Sequence, residues 1–306
     1  MPHRLSIVTV LACLTTLVSL AVAVSAQAAD PFVDRYPDHS QVLVYADEAG
    51  ALQPVQSPAD WARRRSDILR GMEAVMGPLP RDVTYPAFDL QQTEELIGDG
   101  FLRRTYTFVV ENGDRLPIDL YLPQPLPPGE RRAAMLALHP TGAPGKRLVG
   151  AEGTGTNRQY GVELAQRGYV VLAPDYPSFG QTVGYNFQAD AYTSGTMKGI
   201  VNHRRCVDLL QSLPEVDPER IGVIGHSLGG HNSMFVAAFD ERIKAIVSSC
   251  GWTPFHDYYG GKVAGWTSDR YMPAIRDIYE LNPDRIPFDF YEIVAALAPR
   301  PFLSCS

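Results

Sequence analysis

Cysteine is scarce in this 306-residue chain, and the four that occur, Cys13, Cys206, Cys250 and Cys305, form no C-x-x-C pair. That spacing excludes a zinc knuckle and dithiol redox chemistry. Basic residues are few as well: Lys plus Arg number 27 against 34 Asp plus Glu, the net charge is −7, and no basic run is longer than Arg63-Arg64-Arg65. A nucleic-acid partner is not expected of such a surface. No cluster of carboxylates and histidines suggests a metal. Gly153-Thr154-Gly155 follows no strand directly and lacks the Lys-Ser/Thr ending of a phosphate loop. No cofactor and no metal are expected. Internal repeats and low-complexity segments are absent too. What is present is 45% hydrophobic and 10% aromatic residues, enough apolar surface to offset the entropy of ordering a core.

The N-terminus reads as an export signal. His3 and Arg4 precede an apolar run from Leu5 to Val24, and Ala26-Gln27-Ala28 supplies the small residues a signal peptidase accepts. Cleavage is expected after Ala28, which removes residues 1–28 and leaves an acidic protein, secreted or periplasmic, with no stable membrane association. An uncleaved anchor is the alternative, since about 20 apolar residues can span a bilayer; the Ser and Thr in the run weaken it. Cys13 lies inside the run, which continues past it, unlike a lipoprotein site. Of the three remaining cysteines one pair could bridge, and buried free thiols are the simpler expectation.

Residues 29–98 read as an extension with one amphipathic helix. Trp61, Ile68, Leu69, Met72, Val75 and Met76 keep a helical rhythm, Ser57 and Asp60 are available as N-caps, and Gly77-Pro78 stops it. From residue 99 the pattern changes. Phe101 to Val110 and Leu116 to Leu122 flank Glu111-Asn112-Gly113-Asp114, a hairpin signal. Short apolar strands then alternate with helical stretches: Ala133 to Leu138, Asn157 to Arg167, Tyr169 to Ala173, Ala191 to Leu213, Ile221 to Ile224, Leu228 to Phe239 and Ile243 to Ser248. Fully apolar strands separated by helices predict parallel pairing with both faces covered, hence an α/β fold with a doubly wound, mostly parallel sheet opened by an antiparallel hairpin. Residues 251–300 break the alternation with ten aromatic residues and read as a cap inserted before a strand at Pro301 to Cys305.

Gly225-His226-Ser227-Leu228-Gly229-Gly230 joins the strand Ile221 to Ile224 to a helix, the setting that a G-x-S-x-G nucleophile elbow requires. The turn is so tight that the residues two away from the serine must lack side chains, and the helix aims its free N–H groups at the oxygen that turns negative during acyl transfer. Ser227 is the expected nucleophile. On these residues, together with Val216-Asp217-Pro218-Glu219-Arg220-Ile221-Gly222-Val223-Ile224, the chain resembles the α/β-hydrolase superfamily over about residues 101–306. More narrowly it looks like the secreted acetyl xylan esterase and dienelactone-hydrolase-like group. His139-Pro140-Thr141-Gly142 stands where similar enzymes carry His-Gly-x, so the resemblance implies an oxyanion hole from the N–H groups of Leu228 and Thr141. Proline at 140 departs from the commoner glycine. Asp175, before a turn, is assigned a structural role.

A serine hydroxyl needs a base, and in this fold the order is Ser, then Asp or Glu, then His. By that order the acid and the His, with the last strand and helix, are expected beyond Ser306, so the chain reads as a C-terminally incomplete fragment. Of its own histidines, His3 leaves with the signal and His39 lies in the extension. His139 and His226 are motif positions, His203 is expected on a solvated helix face, and His231 sits one turn into the elbow helix. His256, in the cap beside Asp257, is the candidate base. The expectation is an exported serine hydrolase of carboxylic esters, acting on a small-molecule or carbohydrate ester such as an acetylated sugar, through an acyl-enzyme at Ser227. The alternatives are a propeller-free prolyl-oligopeptidase-like peptidase, and a hydrolase-fold binding protein that lacks the acid and His.

Overall fold

The structure is a computed structural model that describes residues 35–111, 113–150, 152, 157–189 and 191–306. The expected signal peptide and the glycines at 153 and 155 lie outside the described residues. Among the described residues no helix is long and apolar enough to cross a membrane.

The extension carries strands besides its one helix. A small antiparallel pair, β1 (Val44–Ala46) with β2 (Leu52–Pro54), precedes α1 (Pro58–Met76). Ser57 caps α1: its Oγ accepts from Asp60 N at 3.2 Å and donates to Asp60 Oδ2 at 2.7 Å, satisfying one of the free N–H groups of the first turn. Gly77 ends the helix with φ +89°, a conformation that costs glycine little. The buried stripe Ile68, Met72, Val75 and Met76 faces the main core.

That core lies on an eight-stranded sheet. Its members are β3 (Gln91–Gly98), β4 (Phe101–Glu111), β5 (Asp114–Pro123), β6 (Arg132–Leu138), β7 (Val170–Pro174), β8 (Val216–His226), β9 (Ile243–Ser249) and β10 (Phe302–Cys305). The spatial order is β10-β9-β8-β6-β7-β5-β4-β3. The five strands from β10 to β7 pair in parallel, and β7, β5, β4 and β3 pair antiparallel. The hairpin expected around Gly113 is β4–β5, with Gly113 at φ +78°. Apolar residues of α1, α3 (Gly195–Ser212) and α4 (Leu228–Phe239) pack on one face; Val162 and Ala165 of α2 (Tyr160–Gln166) pack on the other. The sheet is doubly wound, as the alternation of apolar strands and helices implies.

One sheet strand has no counterpart in the sequence reading. β3 falls in the extension, is exposed along its length apart from half-buried Gly98, and joins the sheet through its backbone pairing to β4, with a bulge between Gln92 and Glu94. Between β9 and β10 runs the segment expected to be a cap, mostly irregular, with α5 (Ala274–Asp277) and α6 (Phe290–Ala296). The extension is tied to it: buried Arg64 of α1 is ion-paired with Glu292 of α6, and its guanidinium lies 3.7 Å from the centre of the Tyr36 ring.

Candidate active site

β8 and β6 are parallel neighbours, with Leu138 beside Gly225. The two loops that leave their C-terminal ends therefore meet. One carries Ser227 and the other Thr141, and the structure brings both, with Leu228, to the wall of one cavity of about 230 Å³. Ser227 stands at φ +54°, ψ −117°, a region that a side chain rarely occupies and that strained catalytic turns do use. The neighbouring glycines explain how the turn closes. A Cβ on Gly225 would overlap the backbone of Gly229, and one on Gly229 would overlap the carbonyl of Leu138. The serine is held from below by its own N–H, which donates to Ser249 O at 2.7 Å, and by its carbonyl, which accepts from His231 N at 2.9 Å.

The loop bearing Thr141 is fixed through His139. Its Nε2 accepts from Tyr176 N at 2.9 Å, which places the proton on Nδ1, 2.7 Å from Pro140 O. Burial holds this imidazole below its ordinary pKa, so it stays neutral and structural. Next to it Asp175, fully buried, accepts from Lys146 N at 2.8 Å, Lys146 Nζ at 2.6 Å and Gln181 N at 3.0 Å. Asp175 thus ties the loop after β7 to the segment after Thr141, and the buried Lys146 partner was not legible in the sequence. Asp175→Asn is expected to cost about 2 kcal/mol, since a charge-assisted hydrogen bond is lost while Lys146 stays buried; urea unfolding measures it.

Opposite the elbow the cap supplies an aromatic wall, Trp252, Tyr258, Trp266 and Tyr271, together with Cys250. Phe255, Tyr279, Phe288 and Phe290 are buried instead in the main core, Phe288 and Phe290 against Phe235 of α4, so the expectation that they form a small core of the cap's own is not met; Tyr259 and Tyr291 are exposed. Among the described residues Trp266 Nε1 has no hydrogen-bond partner, and Trp266 also stacks on His231, ring centres 4.9 Å apart.

Three expectations need correction. His203 is not on a solvated face: it is 2% exposed, beside Tyr176, and burial lowers its pKa to about 3. The thiols are not all buried. Cys206 is, but Cys250 and Cys305 are exposed, because Cys250 lies past the end of β9 at φ +49° and Cys305 lies on the edge strand beside it, its carbonyl accepting from Cys250 N at 2.7 Å. His256 is not brought to the cavity. It is largely exposed and its Nε2 pairs with Asp284 Oδ1 at 3.0 Å. His256→Gln is therefore expected to leave any ester hydrolysis within about twofold of the parent, the scale of a surface change, which initial rates on an aryl acetate would show. His226 bonds Ser249 Oγ through Nδ1 at 3.0 Å, a packing role in the elbow.

The sheet order, the crossovers and the serine turn together define an α/β-hydrolase fold. Residues 153–304 match the model of the alpha/beta hydrolase family. The chain is 33% identical to the putative hydrolase YtaP of Bacillus subtilis (strain 168) over 153 residues, 46% of this chain and 47% of that one. Among solved structures, a glucuronoyl esterase from Solibacter usitatus superposes with a TM-score of 0.66 at 20% identity, covering 86% of this chain and 78% of that one. A putative acetyl xylan esterase from Bacteroides fragilis NCTC 9343 gives 0.61 at 18% identity over 81% and 69%. At these identities the two structures speak for the fold. The chain spans about half the length of the curated relatives it matches.

Proposed function

We propose that the protein is an exported serine hydrolase that cleaves a carboxylic ester of a carbohydrate through an acyl-enzyme. The observation that carries this reading is Ser227 in its strained turn, on the wall of a cavity it shares with Thr141 and Leu228. In the first step Oγ bonds to the ester carbonyl carbon and its proton passes to a base. The carbonyl oxygen, now negative, is met by the N–H groups of Leu228 and Thr141, and the C–O bond to the alcohol breaks as the alkoxide regains a proton. Water then adds to the acyl-enzyme, the acid leaves and Ser227 is restored. The aromatic wall suits the apolar face of a sugar ring, and the solved structures superposed above are named as esterases of glucuronoyl and acetyl xylan substrates.

The step needs a base, and among the described residues no imidazole is hydrogen-bonded to Ser227 Oγ. A second reading rests on that observation: the same fold and cavity bind a carbohydrate without cleaving it. A fluorophosphonate probe separates the two. Mass-spectrometric mapping of the adduct to Ser227 supports the hydrolase; a folded, full-length protein that takes up no probe supports the binder.

A further inference from the structure

The cavity at Ser227, about 230 Å³, falls below the roughly 300–1,000 Å³ usual for sites that enclose a small molecule. It has room for the scissile group and little more. A larger cleft of about 790 Å³ lies between the C-terminal end of α1, the β4–β5 turn and the N-terminal end of α3. The β4–β5 turn stands at the C-terminal end of the parallel strands, because β5 runs antiparallel to β7 with Ile118 beside Pro174. This cleft is therefore on the same end of the sheet as the serine.

A third hollow, about 400 Å³, adjoins the large cleft, sharing Tyr192 and Thr193 with it, and includes Asp269. The start of α3 that lines it is bonded to the segment carrying Tyr271 of the serine cavity, Gly195 N donating to Asp269 O at 2.8 Å and Thr196 N to Tyr271 O at 3.2 Å. The large cleft is lined by the half-buried rings of Tyr85, Tyr185 and Tyr192 and by the carboxylates Glu111 and Asp114. One ammonium serves both acids: Lys198, 2% exposed, donates to Glu111 Oε2 at 2.7 Å and to Asp114 Oδ2 at 2.5 Å. Tyr192 Oη donates to Glu111 Oε1 at 2.6 Å. An ionised carboxylate has about four lone-pair sites, so most of the accepting capacity of this pair remains unused by these three bonds. Among the described lining residues two negative charges face one positive charge.

The geometry points to a remote subsite that holds a neutral oligosaccharide stretch of the substrate while an ester further along the same chain lies at Ser227. Tyrosine rings offer apolar platforms to the C–H faces of pyranose rings, the carboxylates accept from pairs of hydroxyls, and the excess negative charge turns away acidic chains. The inference rests on the carbohydrate-ester reading above.

Binding is measured by calorimetry with xylohexaose on the full-length protein carrying Ser227→Ala, so that no turnover is involved. Xylohexaose is expected to bind, an oligogalacturonate of equal length not to. Tyr185→Ala, and independently Val83→Arg at an exposed position of the cleft wall, are expected to weaken xylohexaose at least about tenfold, the loss of one stacked or one occluded contact of about 1.4 kcal/mol. In the Ser227 protein the same changes are expected to raise KM on acetylated xylan with kcat unaltered and to leave aryl acetate hydrolysis unaltered. No xylohexaose binding, binding indifferent to both variants in folded protein, or preference for the acidic oligomer or a proline-rich peptide overturns the subsite. Loss of aryl acetate turnover and of probe labelling in the parent overturns the hydrolase reading and leaves the calorimetric result to stand separately.

Discussion

Ser227→Ala is expected to remove covalent labelling by a fluorophosphonate altogether and to lower kcat/KM on an aryl acetate by at least about 10³-fold, the scale seen when the nucleophile of an acyl-transfer site is deleted. Folding should be spared. Alanine puts a methyl where Ser227 had its hydroxymethyl, the positive φ is a cost that serine already bears, and the backbone bonds from Ser227 N to Ser249 O and from His231 N to Ser227 O do not involve the side chain. A parallel Thr141→Ala keeps the N–H that the proposed oxyanion hole uses, so it is expected to cost less than about tenfold; an N–H contributed by the backbone survives the loss of its side chain. Equal loss in both variants would mean that the threonine hydroxyl takes part and that the two-N–H hole is wrongly assigned. Unchanged hydrolysis in Ser227→Ala would remove the acyl-enzyme from the reading.

What made the elbow readable is that its constraints are local. A strand, a turn with no room for side chains at Gly225 and Gly229, and a helix occupy consecutive residues, so sequence order carries the geometry. β3 failed for the opposite reason. Gln91-Gln92-Thr93-Glu94-Glu95 buries no side chain, and a strand held by backbone pairing and by ion pairs such as Glu94 with Arg103 leaves no hydrophobic period to read. Its charges and bulge are what an exposed sheet edge needs to discourage pairing with another chain. His203 was misplaced because its neighbours Arg204 and Arg205 suggest water. Arg205 is itself nearly buried, its guanidinium 4.5 Å from the centre of the Tyr85 ring, so nearly the whole circumference of α3 is covered, a property of the packing and not of the helix. Residues 251–300 divide their aromatics between the main core and the cavity wall, which depends on how an irregular chain returns to β10.

Acid should unfold this protein early, and two histidines are the main reason. His203 and His231 are buried, with pKa values lowered to about 3 by loss of hydration. His231 lies between Phe235, ring centres 3.9 Å apart, and Trp266, with neither ring nitrogen hydrogen-bonded among the described residues. In the unfolded chain both titrate near their ordinary value of about 6.5. Between that value and about 3 the unfolded state binds more protons, so stability is complete above about pH 6.5 and falls as the pH drops through the window. Each imidazole contributes up to about 1.4 kcal/mol per pH unit, and the pair is expected to remove about 3 kcal/mol between pH 6.5 and 5. His139 and His226 are shifted in the same direction. His39 works the other way: burial lowers its pKa, but pairing with Glu292 outweighs this and raises it, so its contribution is present below about 6.5 and lost as the pH rises through the raised value. Asp119 and Asp289, raised by burial, oppose the trend where they take up protons in the folded protein. His231→Phe keeps the aromatic stack and removes the titration; at pH 7 it is expected to lie within about 1 kcal/mol of the parent, because the imidazole gives up no protein hydrogen bond. Urea unfolding at pH 7, 6 and 5 should then show the variant losing less stability than the parent, by about 0.7 kcal/mol between pH 7 and 6 and about 1.2 kcal/mol between pH 6 and 5. Parallel slopes would mean that His231 is hydrated in the folded protein, and that the ring stacked beneath Trp266 is not sealed from the cavity at Ser227.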